Sequence, residues 1–387
     1  MRSIPLTGEV GAEALGRAGA AARAWGVTRL ADITGLDRVG VPVFQAIRPQ
    51  SRALSVHQGK ALDPALARLG ALMESLESAH AEAFEAVHRV AAFAALAPAA
   101  RAPDLADFAA DRADAPAADE PLAWVEARRL LDGSPLLVPF ECVSLDFTRP
   151  RDPRLDHTSS GLAARFDVEG ARAKALMEAV ERDAEAEWRG GPEHLRSVSI
   201  VARAAIPYPW FRDLDERLRS LDILLSLYAV PSVIGLPVVR AASREVGVRR
   251  KGRIGTGGWG CAPTWEQALQ AAVLEAMQAR LTAISGARDD ILYDDPARRF
   301  RIGDAAPLPP GMAPLGWAEA TARTPDAPAE LSSAAIAERL AAAGYPDAAA
   351  VELSAPGAAV CVVKAFAPGL GANRRRRRPP GRVGRWP

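Results

Sequence analysis

Three segments with helical periodicity each carry two polar side chains, three residues apart, on a face that is otherwise apolar. The pairs are Glu74 with Glu77, Glu178 with Glu181, and Glu275 with Gln278. Side chains at positions i and i+3 lie one above the other, so each helix directs two oxygen-bearing groups the same way. Burying carboxylates without compensation costs on the order of several kcal/mol each. The pattern therefore predicts three helices that converge on a shared cation site.

Magnesium is the cation that this set of oxygen donors favours, because Mg²⁺ takes hard oxygen ligands and commonly links carboxylates to substrate phosphates. Gln278 is neutral, which lowers the charge of the third pair and leaves its amide for a nucleotide or a metal-bound water. Two other interpretations stay open from the residues alone. Acidic pairs at this spacing also occur on solvated helical faces, and buried carboxylates also pair with arginines, here Arg182 or Arg280.

Each acidic helix follows a segment rich in strand signals. The predicted helices run from Asp63 to Ala92, from Val168 to Arg189 and from Thr264 to Ile284. The predicted strands lie at residues 27–33, 39–47, 136–140, 142–147, 221–229 and 233–241. With 387 residues, 49% of them hydrophobic, the chain can bury a large core. We expect an α/β fold, a single mixed domain whose three acidic helices meet around a shared site.

Three segments fall outside this alternation. Residues 93–120 are dense in Ala, Asp and Pro, which indicates a solvated connector or a ragged helix. The glycines between Gly252 and Gly260 fit two structures equally, a backbone that approaches a ligand closely or a flexible link from strand to helix. Residues 371–387 contain five consecutive arginines and are predicted to be a disordered basic tail.

Charge and cysteine content narrow the class of protein. The net charge is +1, with much of the basic side in the terminal arginine run, so nucleic acid is an unlikely partner. Cys142, Cys261 and Cys361 lie far apart, which disfavours a disulfide framework and a structural zinc site and fits a reducing cytoplasm. Because neither a signal peptide nor a long apolar run is evident, we expect a cytoplasmic protein without a membrane anchor.

Other phosphate- and metal-binding signatures are weak. Gly59-Lys60 resembles half of a phosphate-binding loop, but the remaining spacing of that motif is absent. Arg288, followed by Asp289 and Asp290, is either a phosphate-binding guanidinium or part of a capped turn. The five histidines form no ligand pair, which disfavours metal-dependent hydrolysis without a nucleotide.

Several ordered motifs resemble those of YcaO proteins. They are the runs 32–42, 48–49, 55–60, 71–77, 159–163, 175–184, 275–282 and 285–290. The resemblance covers roughly residues 25–370, which we take as a YcaO domain after a divergent segment, residues 1–24. It implies an enzyme that uses ATP and Mg²⁺ to phosphorylate a peptide amide oxygen after a nucleophile has added to the carbonyl. The product is then an azoline, or a thioamide when the nucleophile is sulfide.

The resemblance also implies roles for particular residues. Magnesium and phosphate binding is expected of Glu74, Glu77, Glu178, Glu181 and Glu275. Nucleotide contacts are expected of Gln278 and Arg280, and Arg288 is a further candidate. We expect a peptide or protein substrate and a TfuA-like partner, as for stand-alone members linked to thioamidation, with a homodimer as an assembly to be tested.

The sequence departs from the family pattern at four positions. They are Gly70 for a usual Ser, Ser160 for Asn, Arg165 for Gly, and Ala262 for His. A phosphate-contacting lysine expected near the N-terminus is not evident either. The alternative to catalysis is therefore a degenerate YcaO-like protein that binds a peptide or a partner.

Overall fold

The computed structural model describes residues 11–191, 199–246, 255–287 and 313–370. The helices are α1 Ala12–Ala24, α2 Pro64–Ala83, α3 Val168–Gly190, α4 Pro209–Ser220, α5 Trp265–Ser285, α6 Trp317–Ala322 and α7 Ser333–Ala342. The strands are β1 Arg29–Asp32, β2 Val43–Ile47, β3 Val56–Lys60, β4 Arg89–Ala92, β5 Pro121–Arg129, β6 Pro135–Pro139, β7 Leu162–Arg165, β8 Ile223–Val230, β9 Val238–Glu245, β10 Gly255–Cys261, β11 Ala349–Glu352 and β12 Cys361–Phe366. The mixed α/β architecture predicted from the sequence is confirmed.

All pairings between these strands are antiparallel, and they form three sheets. Two sheets have three strands each, in the orders β1-β2-β3 and β10-β9-β8. The third follows the order β4-β5-β11-β12-β7, with β6 paired to β5. In each sheet the strand that precedes an acidic helix is an edge strand, β3, β10 or β7. The acidic helices therefore start from the margins of three separate sheets.

Three units, each a strand followed by its helix, surround one cavity: β3 with α2, β7 with α3, and β10 with α5. The helices begin after the N-cap residues Asp63, Asp167 and Thr264, whose side chains accept hydrogen bonds from backbone N–H groups of the first turn. In every helix the first acid comes eleven residues after the N-cap. The N-caps therefore give the three acidic pairs the same rotation about their helix axes.

Each unit also packs on the next, which closes the arrangement into a ring. Successive side chains of a strand point to opposite faces. In β7, Ala163 packs in a core cluster with residues of α3, whereas Leu162 and Ala164 pack in a cluster with residues of α2. Likewise β10 contacts both α5 and α3, and β3 contacts both α2 and α5.

Glycines allow the strands of two units to approach their helices closely. A Cβ on Gly59 would lie 2.0 Å from the carbonyl oxygen of Ala67, and one on Gly260 would lie 2.2 Å from that of Ala268. Residues 255–260 thus belong to strand β10, so the expectation of a flexible link is wrong there. The other expectation, a backbone close to a ligand, stays a prediction, and Trp259 of this strand lines the cavity. Residues 252–254 of that predicted segment lie outside the described residues.

One predicted helix end and one predicted strand differ clearly from the structure. The first acidic helix ends at Ala83 instead of Ala92, since residues 89–92 form β4 against β5. Residues 142–147, predicted as a strand, form a turn after a 3-10 helix, in which the N–H groups of Val143 and Ser144 donate to the carbonyl oxygen of Phe140.

The segment from 93 to 120 is less solvated than its composition predicts. It consists of short 3-10 turns, and Phe93, Leu105 and Phe108 are buried in a core with Trp124 of β5. The tail predicted to be disordered, 371–387, lies outside the described residues. No helix in the described part of the chain is both long and apolar enough to cross a membrane.

Candidate active site

The cavity enclosed by the ring has a volume of about 2190 Å³ and an open side. The same seven positions of α2, α3 and α5 line it, namely three, six, seven, ten, eleven, fourteen and fifteen residues after the N-cap. In all three helices the acidic pair stands eleven and fourteen residues after the N-cap. The structure therefore brings Glu74, Glu77, Glu178, Glu181, Glu275 and Gln278 to one cavity.

The first acids of α2 and α5 are held by the strand of their own unit. The backbone N–H of Gln58 donates to Glu74 at 2.8 Å, and that of Trp259 approaches Glu275 at 3.5 Å. The equivalent N–H on β7 belongs to Leu162 and donates to the carbonyl oxygen of Ser159 at 3.0 Å. Glu178, the first acid of α3, consequently lacks the contact that the other two first acids make.

The second acids reach across to the next unit. The N–H of Ala164 on β7 donates to Glu77 at 2.7 Å, and the N–H of Cys261 on β10 donates to Glu181 at 2.9 Å. A carboxylate that accepts one such bond keeps a second oxygen for a cation. These bonds both join the units and hold the carboxylates in place.

The third junction of the ring, from α5 to β3, differs chemically. Here Gln278 stands where the other helices have a second acid, and Lys60 is the residue of β3 equivalent to Ala164 and Cys261. The hydroxyl of Thr282 donates to the side-chain oxygen of Gln58 at 2.6 Å, which ties α5 to β3. Both Gln278 and Lys60 line the cavity.

Burial first, and for Glu77 and Glu181 next the charge of a carboxylate on another helix, raises the pKa values of these carboxyl groups. Burial, and next the charge of Glu178, raise the pKa of Glu77 to about 8. Burial, and next the charge of Glu275, raise the pKa of Glu181 to about 7, and burial also raises the pKa of Glu178. Because like charges on different helices oppose one another's ionisation, the cavity favours a bound cation.

This donor set fits magnesium held together with phosphate. Within the described ranges, no three His, Cys, Asp or Glu side chains lie close enough together to hold an ion on their own. Mg²⁺ commonly takes one or two carboxylates and completes its shell with water and substrate phosphates. Carboxylates spread over three helices around a large cavity match that mode of binding.

Four basic side chains also line the cavity, although the sequence reasoning did not assign them to the site. They are Lys60, Arg165, Lys174 and Arg182. Arg182 pairs with Glu185 at 2.9 Å and lies 3.9 Å from Glu181. Counting residues from the three N-caps would have placed Lys174 and Arg182 at cavity-facing positions.

Arg280, predicted to contact the nucleotide, does not line the cavity. It is 1% exposed and is paired with Asp37 at 2.8 Å and with Glu245 at 3.0 Å. This prediction is corrected: Arg280 forms a buried ion pair that links α5 to the β1-β2 connection and to β9. Arg288 lies outside the described residues, so its role stays a prediction.

Three of the four residues that depart from the family pattern line the cavity, and the fourth lies next to a lining residue. Gly70, Arg165 and Ala262 line it, whereas Ser160 does not, although its neighbour Ser159 does. A Cβ at Gly70 would lie 3.3 Å from the Cα of Gly59, so a larger residue there requires a small shift of β3. The close approach of β3 to α2 therefore leaves little room for a side chain at position 70.

Fold and cavity together define a class of protein, one in which a ring of three strand-helix units surrounds carboxylates suited to magnesium and phosphate. The sequence matches the family model described as YcaO cyclodehydratase, ATP- and Mg²⁺-binding, over residues 58–371. The chain belongs to the YcaO family. The predicted cofactors, ATP and Mg²⁺, are those of this family.

Two relatives resemble the chain over most of its length. An uncharacterized protein encoded in the tfuA 3′ region of Rhizobium leguminosarum bv. trifolii is 31% identical over 362 residues, which cover 90% of this chain and 84% of that protein. An uncharacterized protein of Mycobacterium tuberculosis strain H37Rv is 32% identical over 369 residues, 89% of this chain and 78% of that protein.

Solved structures share the fold. A heterocyclase in complex with substrate and cofactor superimposes with a TM-score of 0.73 and 20% identity over 96% of this chain. The chain spans about half of that heterocyclase, 54% of its length. YcaO from Methanopyrus kandleri, bound with AMPPCP and Mg²⁺, gives a TM-score of 0.65 and 22% identity over 92% of this chain and 90% of that one.

Proposed function

We propose that this protein uses Mg²⁺-ATP to activate a backbone amide of a peptide or protein by phosphorylating the amide oxygen. The observation that carries the proposal is the ring itself, which brings five carboxylates of three helices to one cavity. Four of them, Glu74, Glu77, Glu181 and Glu275, face backbone N–H groups of the strands. When bound, Mg²⁺-ATP supplies the phosphoryl group and the charge that the carboxylates lack.

The residues of the ring have distinct tasks in this proposal. The five glutamates hold magnesium, and Gln278 contacts the nucleotide. Phosphoryl transfer depends mainly on positioning and electrostatic stabilisation, so carboxylates that are fixed before the ligand arrives lower the cost of reorganisation. The bonds from Ala164 to Glu77 and from Cys261 to Glu181 supply that fixation across the boundaries between units.

We propose a thioamide as the product, made together with a TfuA-like partner, and an azoline as the second candidate. The genomic position of the Rhizobium relative, beside tfuA, supports the partner. A thioamide requires sulfide as an external nucleophile, whereas an azoline uses a Cys, Ser or Thr side chain of the substrate itself. The two products therefore need different mixtures of reactants.

Mass spectrometry tests the reaction and its product. The purified protein, a TfuA-like partner and candidate peptides encoded nearby are incubated with Mg²⁺-ATP, with and without sulfide. We expect exchange of oxygen for sulfur that requires ATP, sulfide and the partner; loss of water without sulfide identifies the azoline. Glu178→Gln should abolish the change, and Glu338→Gln, on the exposed surface of α7, should leave it intact.

A binding protein without catalysis is the alternative, and the substitutions at Gly70 and Arg165 in the cavity wall favour it. It predicts that substrate peptide binds while no ATP is consumed. Peptide-stimulated ATP turnover that Glu178→Gln removes would eliminate this alternative. A homodimer stays a prediction, which sedimentation of the purified protein tests.

A further inference from the structure

The three acidic helices differ in charge at the positions that they share around the cavity. Seven residues after the N-cap stand Gly70 on α2, Lys174 on α3 and Ala271 on α5. Fifteen residues after it stand Ser78, Arg182 and Ala279. All six line the cavity. Among these helices, α3 alone has a cation on both sides of its acidic pair.

The net charge of the three lining faces follows from these differences. At the seven shared positions, α2 carries two carboxylates and no cation, and α5 carries one carboxylate and no cation. The α3 face carries two carboxylates balanced by two cations. A triphosphate is a polyanion, so of the three faces the α3 face opposes it least.

Lys174 and Arg182 are not equally available to a ligand. Arg182 is engaged with Glu185 at 2.9 Å. Lys174 makes no hydrogen bond or ion pair with any residue of the described ranges, although its charge acts on Glu178 one turn further along α3. An ammonium group with three donors that lines the cavity in this way is ready to meet an incoming anion.

We propose that Lys174 is a phosphate-binding residue of the nucleotide site. The phosphate chain passes along α3, and the Lys174 ammonium donates to a phosphate oxygen beside the cations that the carboxylates of the three helices hold. This inference rests on the proposed function and deepens it, because it assigns to one side chain of α3 a direct contact with the phosphates.

The test compares nucleotides that differ only in their phosphates. Dissociation constants of ATP and AMP, each with Mg²⁺, are measured by titration calorimetry for the wild type, Lys174→Met, Lys174→Arg and Arg172→Met. Arg172 is the matched control, since it lies on the same helix, pairs with Glu352 and does not line the cavity. We expect Lys174→Met to weaken ATP at least tenfold, about 1.4 kcal/mol, and AMP less than twofold. Lys174→Arg should keep most of the affinity, and Arg172→Met all of it.

Three other titration results would contradict the assignment of Lys174. If Lys174→Met binds ATP as well as or better than the wild type while Glu178→Gln loses it, Lys174 does not bind phosphate and the proposed function stands. If Lys174→Met weakens ATP and AMP equally, the lysine shapes the cavity instead of contacting phosphate. If the wild type binds neither nucleotide, the proposed function fails, and the assignment of Lys174 fails with it.

Discussion

Replacing Glu77 with glutamine should make the ligand-free protein more stable at neutral pH. Burial and the Glu178 carboxylate raise the pKa of Glu77 from 4.5 to about 8 in the folded protein. Between these two values the folded state binds more protons than the unfolded state, so the wild type loses stability as the pH rises. A glutamine side chain at this position keeps an oxygen that accepts the Ala164 N–H and has no proton to lose.

The size of the effect follows from the pH interval. Between pH 5.5 and 7.5, a carboxyl group with this pKa that is fully shielded from water lowers the unfolding free energy by about 2.7 kcal/mol, since each pH unit corresponds to about 1.36 kcal/mol. Glu77 faces the cavity and is only partly buried from solvent. Water there screens its charge, so we expect about 1.5 kcal/mol.

Urea unfolding in EDTA at the two pH values measures this difference for the wild type, Glu77→Gln and the surface control Glu338→Gln. The variant's unfolding free energy should fall less between pH 5.5 and 7.5 than that of the wild type, and the control should follow the wild type. If the unfolding free energies of Glu77→Gln and the wild type change equally with pH, burial and the Glu178 charge do not raise the pKa of Glu77 as proposed. With Mg²⁺-ATP present the order should reverse, because ligand binding stabilises only a protein that retains the site.

Two further changes test how the ring is built. Gly260→Ala places a methyl group 2.2 Å from the carbonyl oxygen of Ala268, so β10 must move away from α5. We expect the unfolding free energy measured in urea to fall by about 1–3 kcal/mol and ATP binding to weaken. The control Gly35→Ala, with open space around the added methyl group, should behave as the wild type. Asp63→Ala removes the hydrogen bonds that the N-cap side chain accepts from Ala65 and Leu66, and it should lower the unfolding free energy by about 1 kcal/mol. Asp63→Asn, which keeps an accepting oxygen, should retain most of the wild-type stability. Equal losses in the two variants would contradict the capping role.

The acidic helices were predictable because their determinants are local. Asp63 and Thr264 are visible in the sequence as N-caps, and the acids interrupt an apolar face at a fixed spacing. The convergence on one cavity followed from the cost of burying carboxylates. The same count from the N-cap, extended one turn before and one turn after Glu178, would also have found Lys174 and Arg182.

Features set by distant contacts were not predictable in this way. Strand β10 has the composition of a loop, and its identity depends on pairing with β9 and on packing against α5. Arg280 lies on the same helix as Glu275, yet its partner Asp37 is far away in the sequence, so nothing local distinguished a buried ion pair from a nucleotide contact. The bonds of Glu77 and Glu181 to neighbouring units were likewise invisible without the ring.

The most direct test of the central claim is a calorimetric titration of Mg²⁺-ATP into Glu74→Ala, Glu178→Ala and Glu275→Ala, one variant for each helix, with Glu338→Ala as the control. If the three helices share one magnesium-nucleotide site, each of the three variants loses nucleotide binding while its circular dichroism spectrum stays that of the wild type. Wild-type affinity in the Glu74 and Glu178 variants would contradict a shared site.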